Sequence, residues 1–193
     1  GEATALTSGI EWNFQPRFSP DGRRIAFTSD AGGGDNIWIM QADGAEPRQL
    51  THEDFRLLNN PYWSPDGTYI AARKHFTTTR SLGAGEIWIY HRNGGDGVPV
   101  VERPNPKHQK ELGEPAFSPD GRYLYFSIGD RGAQDMAQDP ARPNGKIHRI
   151  YPDGSVPADN PFKDGGLPTV YTLGNRNPQG MSVHPETDQV WAA

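Results

Sequence analysis

Three copies of one turn, Phe18-Ser19-Pro20-Asp21-Gly22, Trp63-Ser64-Pro65-Asp66-Gly67 and Phe117-Ser118-Pro119-Asp120-Gly121, predict an all-β chain built by repetition. Two further observations agree. An Ile-rich motif follows each turn after a variable loop, and glycine (23) and proline (18) punctuate the 193 residues as they do where short strands meet tight turns. The turn serines lie 45 and 54 residues apart, the length of a propeller blade. The expected fold is a β-propeller of four-stranded antiparallel blades, with about three and a half blades present and the ring incomplete.

Each element follows from local chemistry. In the Ser-Pro-Asp-Gly turn proline pre-sets φ, aspartate bonds back to the backbone and glycine accepts the left-handed position, which makes a hairpin of the strands on either side. The runs at 24–28, 69–72 and 123–127 are the second strands. Third strands are read at Asn36-Ile37-Trp38-Ile39, Glu86-Ile87-Trp88-Ile89 and 146–150, closed by Asp43-Gly44, Gly94-Gly95 and Asp153-Gly154. Fourth strands are expected at 48–51, 98–101 and 169–172. The last unit offers two strands, 180–184 and 189–191, around a turn at 185–188.

A blade buries both faces against its neighbours, so three and a half blades leave an apolar face and sheet edges open. That predicts self-association through the open blade, closure into a strained small ring, or origin as a piece of a longer polypeptide. A formal charge of −5 argues against nucleic acid as a partner, which needs clustered Lys and Arg. No run approaches the roughly 18 apolar residues of a membrane span. Absence of cysteine removes disulfides and thiol chemistry and leaves the compartment open.

His52, His75, His91, His108, His148 and His184 show no metal-ligand spacing and read as surface or loop residues; no metal site is assigned. Of Trp12, Trp38, Trp63, Trp88 and Trp191, the last four fall in strand-like runs and read as packing between blades. Arg73-Lys74-His75 with Arg80 reads as a solvated loop cluster, with anion binding as the sharper alternative. The acidic stretch 30–35 is a calcium candidate with few spaced oxygens.

Residues 14 to about 127 resemble the TolB-type, WD40-like propeller repeats: RFSPDGRRIAFTSDAGGGDNIWIMQADGAEPRQLT carries the pattern, and NPYWSPDGTYIAARKHFTTTRSLGAGEIWIYHRNGG is similar to the propeller portion of certain bacterial amidohydrolases. The amidohydrolase HxH motif does not occur. From about Leu124 the chain resembles the soluble PQQ-dependent aldose (glucose/sorbosone) dehydrogenases, through 128–132 (IGDRG), 137–140, 145–147, 153–162 (DGSVPADNPF) and 171–180 (YTLGNRNPQG). The division expected is 1–127 and 128–193 within one continuous propeller.

The second resemblance implies PQQ and Ca²⁺ as cofactors. In that family a histidine takes the sugar hydroxyl proton, an aspartate orients it, and hydride passes to the quinone. It puts the orienting aspartate at Asp130 and contacts to PQQ at Arg176 and Asn177. The family's HxGG-like segment with the base is matched here by Lys110-Glu111-Leu112-Gly113-Glu114, with His108 two residues out of register, and its calcium segment corresponds to positions past Ala193. Two readings follow: a partial propeller acting as a binding or scaffold module for a protein or small-molecule ligand at the propeller face, catalytically incomplete as it stands, or a segment of a PQQ-dependent aldose sugar dehydrogenase. By the same resemblance the location is periplasmic or secreted.

Overall fold

A computed structural model describes residues 2–53, 57–76, 85–103, 112–178 and 180–193; Arg80 and His108 lie outside them. The strands are β1 (Asn13–Phe18), β2 (Arg24–Ser29), β3 (Asn36–Gln41), β4 (Arg48–Gln49), β5 (Leu58–Trp63), β6 (Tyr69–Lys74), β7 (Glu86–His91), β8 (Val98–Val101), β9 (Ala116–Phe117), β10 (Leu124–Ile128), β11 (Lys146–Ile150), β12 (Val170–Thr172), β13 (Met181–Val183) and β14 (Val190–Ala192). Among the described residues they form three antiparallel four-stranded sheets, β1–β4, β5–β8 and β9–β12, each in sequential order, and a two-stranded sheet β13–β14. These are the expected propeller blades, three whole and one half, with no closed barrel. The fourth strand of the first blade stops at Gln49 because the Thr51 hydroxyl accepts from the Ile37 amide at 3.0 Å and donates to Asn36 Oδ1 at 2.9 Å, replacing ladder bonds by a side-chain clasp.

The turn chemistry repeats to within tenths of an ångström. The Ser19 hydroxyl donates to Asp21 Oδ1 (2.6 Å) and accepts from the Arg24 amide (2.9 Å), while Asp21 Oδ1 accepts from the Arg23 amide (3.1 Å). Ser64 with Asp66, and Ser118 with Asp120, make the same closed box. Gly22, Gly67 and Gly121 take φ of 68, 67 and 72°, where a side chain is strained. These serine hydroxyls, followed by the backbone amides, hold the three carboxyls below their ordinary range. The fourth unit solves the same problem with other residues: His184 Nδ1 accepts from the amides of Glu186 (3.2 Å) and Thr187 (3.3 Å), and Asp188 takes the left-handed position at φ 56°.

Apolar residues stack between blades. Ala26, Ile37, Ile39 and Leu50 of the first blade meet Leu58, Trp63, Ile70 and Ala72 of the second. Ala71, Ile87 and Ile89 on the opposite face of the second blade meet Phe117, Leu124, Phe126 and Ile150 of the third. Alternation along β6 thus sends Ile70 and Ala72 one way and Ala71 the other, and no face is left for solvent. Each fully buried Leu or Ile contributes about 1.5–3 kcal/mol relative to exposure.

That two-sided burial corrects the reading of Arg73-Lys74-His75. Far from a solvated loop or an anion site, all three are buried, Arg73 and Lys74 at the end of β6 and His75 just after it. Lys74 Nζ pairs with Glu53 at 2.5 Å and lies 3.6 Å over the Trp88 ring, tying the first blade's exit to the second. Arg73 Nε donates to Asn59 Oδ1 at 3.1 Å, and burial pushes its guanidinium down to about 10. His75 and His148 are likewise buried, against the expectation of surface histidines. Trp63 packs between blades and donates to the Arg17 carbonyl at 3.1 Å, but Trp191 is 62% exposed, a correction to its assignment as packing. In the stretch 30–35, Asp35 is buried, and no three His, Asp or Glu converge there or elsewhere among the described residues.

The inner strands are joined by polar side chains at one repeated position, each before a proline. Gln15 and Asn60 sit at φ 55 and 53°. Thr28 Oγ1 donates to Gln15 Oε1 (3.1 Å), Gln15 Nε2 donates to Asn60 Oδ1 (2.9 Å), and Asn60 Nδ2 donates to Glu114, which also faces Arg17 at 3.6 Å. Three blades are thereby fastened to one another. No described helix is long and apolar enough to cross a membrane.

Candidate functional site

The third blade carries the site. After β10 the chain turns through Asp130-Arg131-Gly132-Ala133, with Arg131 at φ 56°, Gly132 at φ 80° and the Ala133 amide donating to the Asp130 carbonyl at 2.9 Å, the geometry of a type I′ turn. Asp130 Oδ1 accepts from the Gly132 amide at 2.9 Å, and its side chain is buried. A 3-10 turn follows at Gln134–Ala137.

The second half of the site is the stretch after β12. Asn175 Nδ2 donates to Thr172 Oγ1 at 2.7 Å, and the backbone then runs back against the Asp130 loop. Three bonds zip the two segments: Asp130 amide to Arg176 carbonyl (2.7 Å), Gly174 amide to Ala137 carbonyl (2.9 Å) and Asn175 amide to Gly145 carbonyl (2.9 Å). Gly129 lies against Asn177, where an added Cβ would come within 3.0 Å of its Oδ1. Residues 46 positions apart in sequence, Asp130 and Arg176, are therefore neighbours, and Arg176 and Asn177 are exposed beside the buried carboxyl.

Around this pair the polar residues of the third blade are structural. Asn160 is buried, accepts from Arg149 Nε at 2.6 Å and donates to the carbonyls of Arg149 (2.9 Å) and Pro168 (2.8 Å). Arg149 also pairs with Asp159 at 2.9 Å and lies 4.5 and 4.8 Å from the Tyr123 and Tyr171 ring centres. The DGSVPADNPF stretch thus works as a clamp on β11. His148 stacks on Phe126 at 4.9 Å and 8°. Its Nε2 faces the Pro143 carbonyl (3.1 Å) and must donate, so Nδ1 accepts from the Thr169 hydroxyl (2.9 Å). Burial, with Lys146 nearby, pushes this imidazole down to about 4. Sequence reading missed the roles of Asn160 and Lys146, although a signal lay within the motifs DGSVPADNPF and GKI, and it read His148 as a surface or loop residue where it is buried.

A propeller whose third blade presents paired loops on one rim is the class that this geometry defines. Residues 1–138 match the TolB beta propeller domain and residues 97–193 match Glucose / Sorbosone dehydrogenase, so the chain belongs to both families, the two matches overlapping from β8 to β10. It is 32% identical over 184 residues to an uncharacterised peptidase of Bacillus subtilis (strain 168), covering 78% of this chain and 26% of that protein. It is 29% identical over 162 residues to quinoprotein glucose dehydrogenase B of Acinetobacter calcoaceticus, covering 69% of this chain and 32% of that one. The crystal structure of an oxidoreductase of glucose dehydrogenase type from Thermus thermophilus superposes with a TM-score of 0.66 at 28% identity, over 95% of this chain and 57% of that one. The chain thus spans about a quarter to a third of the two curated relatives.

Proposed function

We propose that the chain is a propeller segment of a PQQ-dependent aldose sugar dehydrogenase, contributing the orienting carboxylate and part of the cofactor contact surface. The observation that carries this reading is the closure of the Asp130 loop on Arg176 and Asn177 by the 2.7 Å bond between backbones, together with the family match over 97–193. The residues present fit an anionic quinone on one side: Arg176 is exposed, and its planar fork suits a carboxylate of PQQ with Asn177 beside it. When bound, PQQ supplies the hydride acceptor.

This chain's own residues bind and orient. Asp130, fixed through Oδ1 by its own turn, holds and orients the imidazole of a base that takes the sugar hydroxyl proton. That base and the calcium contacts belong, by the resemblance, to segments other than the described ones, so turnover depends on them. The second reading, a binding or scaffold module for a ligand at the propeller face, is favoured by the stack of three four-stranded blades. A periplasmic or secreted location belongs to the same proposal and rests on the family resemblance.

Titrating the chain with PQQ and following tryptophan quenching tests the first reading. Saturable binding weakened about tenfold by Arg176→Ala, a loss of about 1.4 kcal/mol, supports it. Absent binding, or binding indifferent to Arg176→Ala, overturns it. With PQQ, Ca²⁺ and an aldose, dye reduction abolished by Asp130→Ala would set aside the scaffold reading.

A further inference from the structure

The most deeply buried cation of the third blade lies between the two loops of the site. Lys146, the first residue of β11, is fully buried. Its Nζ donates to the carbonyls of Asn144 (2.7 Å), Met136 (2.8 Å) and Ala137 (2.9 Å). An ammonium has three hydrogens, and all three are used.

We propose that Lys146 is the positioning residue that assembles the Asp130 and Arg176 loops, its ammonium filling a three-carbonyl nest as a bound cation would. Two of the carbonyls, Met136 and Ala137, end the 3-10 turn, where backbone oxygens lack partners within the turn and favour positive charge. The Ala137 carbonyl also accepts the Gly174 amide, and Gly145, next to Lys146, accepts the Asn175 amide. The wall of the nest is therefore the same backbone that receives the 174–177 segment. Gly145 sits at φ 68°, and a Cβ there would fall 2.4 Å from Ala137 Cβ and 3.0 Å from the Asn175 carbonyl. Three stretches of chain meet around one ammonium. Burying a charge this way is costly unless its donors are all met, and removing it leaves three carbonyls facing one another with the three ammonium bonds unmade, Ala137 keeping the Gly174 amide at 2.9 Å and Met136 the Asp139 amide at 3.2 Å.

The repeat supports the assignment independently. The residue that opens the third strand holds a segment outside that strand in each blade. Asn36 Nδ2 donates to the carbonyls of Gly34 (3.2 Å) and Glu53 (3.0 Å). Glu86 accepts from Trp88 Nε1 (2.6 Å) and faces Arg103 at 3.5 Å. Lys146 does the same work as a cation, in the blade where the loop pair is found. The value of this to a cofactor site rests on the reading proposed above; the nest itself does not.

The test separates the two. In Lys146→Met, which keeps the aliphatic stem, hydrogen exchange at the amides of Asp130, Gly174 and Asn175 should accelerate tenfold or more, with β6 and β7 unchanged. In Lys146→Ala, n-propylammonium, the missing side-chain atoms as a free cation, should restore protection, and n-propanol should not. Unchanged exchange in Lys146→Met, or equal rescue by the alcohol, overturns the proposal. Should neither variant fold, the unsubstituted chain decides: a slowly exchanging Lys146 ammonium signal coupled through hydrogen bonds to the Met136, Ala137 and Asn144 carbonyl carbons is expected, and its absence is contrary. PQQ affinity in the same variants reports on the functional reading alone.

Discussion

Lowering the pH from 7 to 5 should cost the protein roughly 2 kcal/mol through His148 alone. The imidazole is enclosed by Phe126, Pro143 and Thr169, and burial pushes it from an ordinary 6.5 down to about 4. A base whose folded pKa is depressed binds fewer protons folded than unfolded between those values. Stability from this group is therefore complete above pH 6.5 and is lost as pH falls toward 4, at a slope of up to about 1.4 kcal/mol per unit. Integrated from 7 to 5, the two pKa values give roughly 2 kcal/mol. Urea unfolding followed by circular dichroism at half-unit steps measures it, with His148→Gln as the reference, since glutamine keeps hydrogen-bonding capacity and does not titrate. The variant should lose the slope between about pH 5 and 6.5. If the unsubstituted chain and His148→Gln lose stability in parallel over that window, the imidazole is solvated and the reasoning is wrong.

Further outcomes follow from the same contacts. Asn160→Ala strands Arg149 Nε and two carbonyls and should destabilise by about 2–4 kcal/mol, measured by urea midpoint, with the inner strands of the first blade unaffected in exchange. Gly145→Ala, which meets Ala137 and the Asn175 carbonyl, should free the 174–177 segment to proteolysis before global unfolding; resistance equal to the unsubstituted chain would count against the close approach. The carboxyls of Asp21, Asp66 and Asp120 are held low chiefly by their serines, so what they contribute is present above the ordinary carboxyl range and lost as pH falls through the lowered values. Acid unfolding should accordingly show a second component below about pH 4, diminished in Ser64→Ala.

Much of the fold was legible because its determinants are local. A Ser-Pro-Asp-Gly box closes within six residues, so Ser64, Asp66 and Gly67 specify their turn wherever the blade sits, and strand alternation from Tyr69 onward follows from it. The resemblance to the dehydrogenases likewise drew Asp130, Arg176 and Asn177 to notice from the residues alone. What the strands do with polar residues was not legible. Arg73, Lys74 and His75 look like a basic surface cluster until β6 is placed between two blades, where Glu53 and Asn59 become their partners. His184 takes the serine's place as acceptor, and the left-handed residue is Asp188, one position later than the glycine of the repeated turn. The adjacency of the Asp130 and Arg176 loops, and the nest that Lys146 fills between them, exist only once β11 brings residues 129–146 and 174–177 together. Turn chemistry is set by neighbours in sequence; the pairing of buried charges is set by which blade stacks on which, and only the tertiary structure decides that.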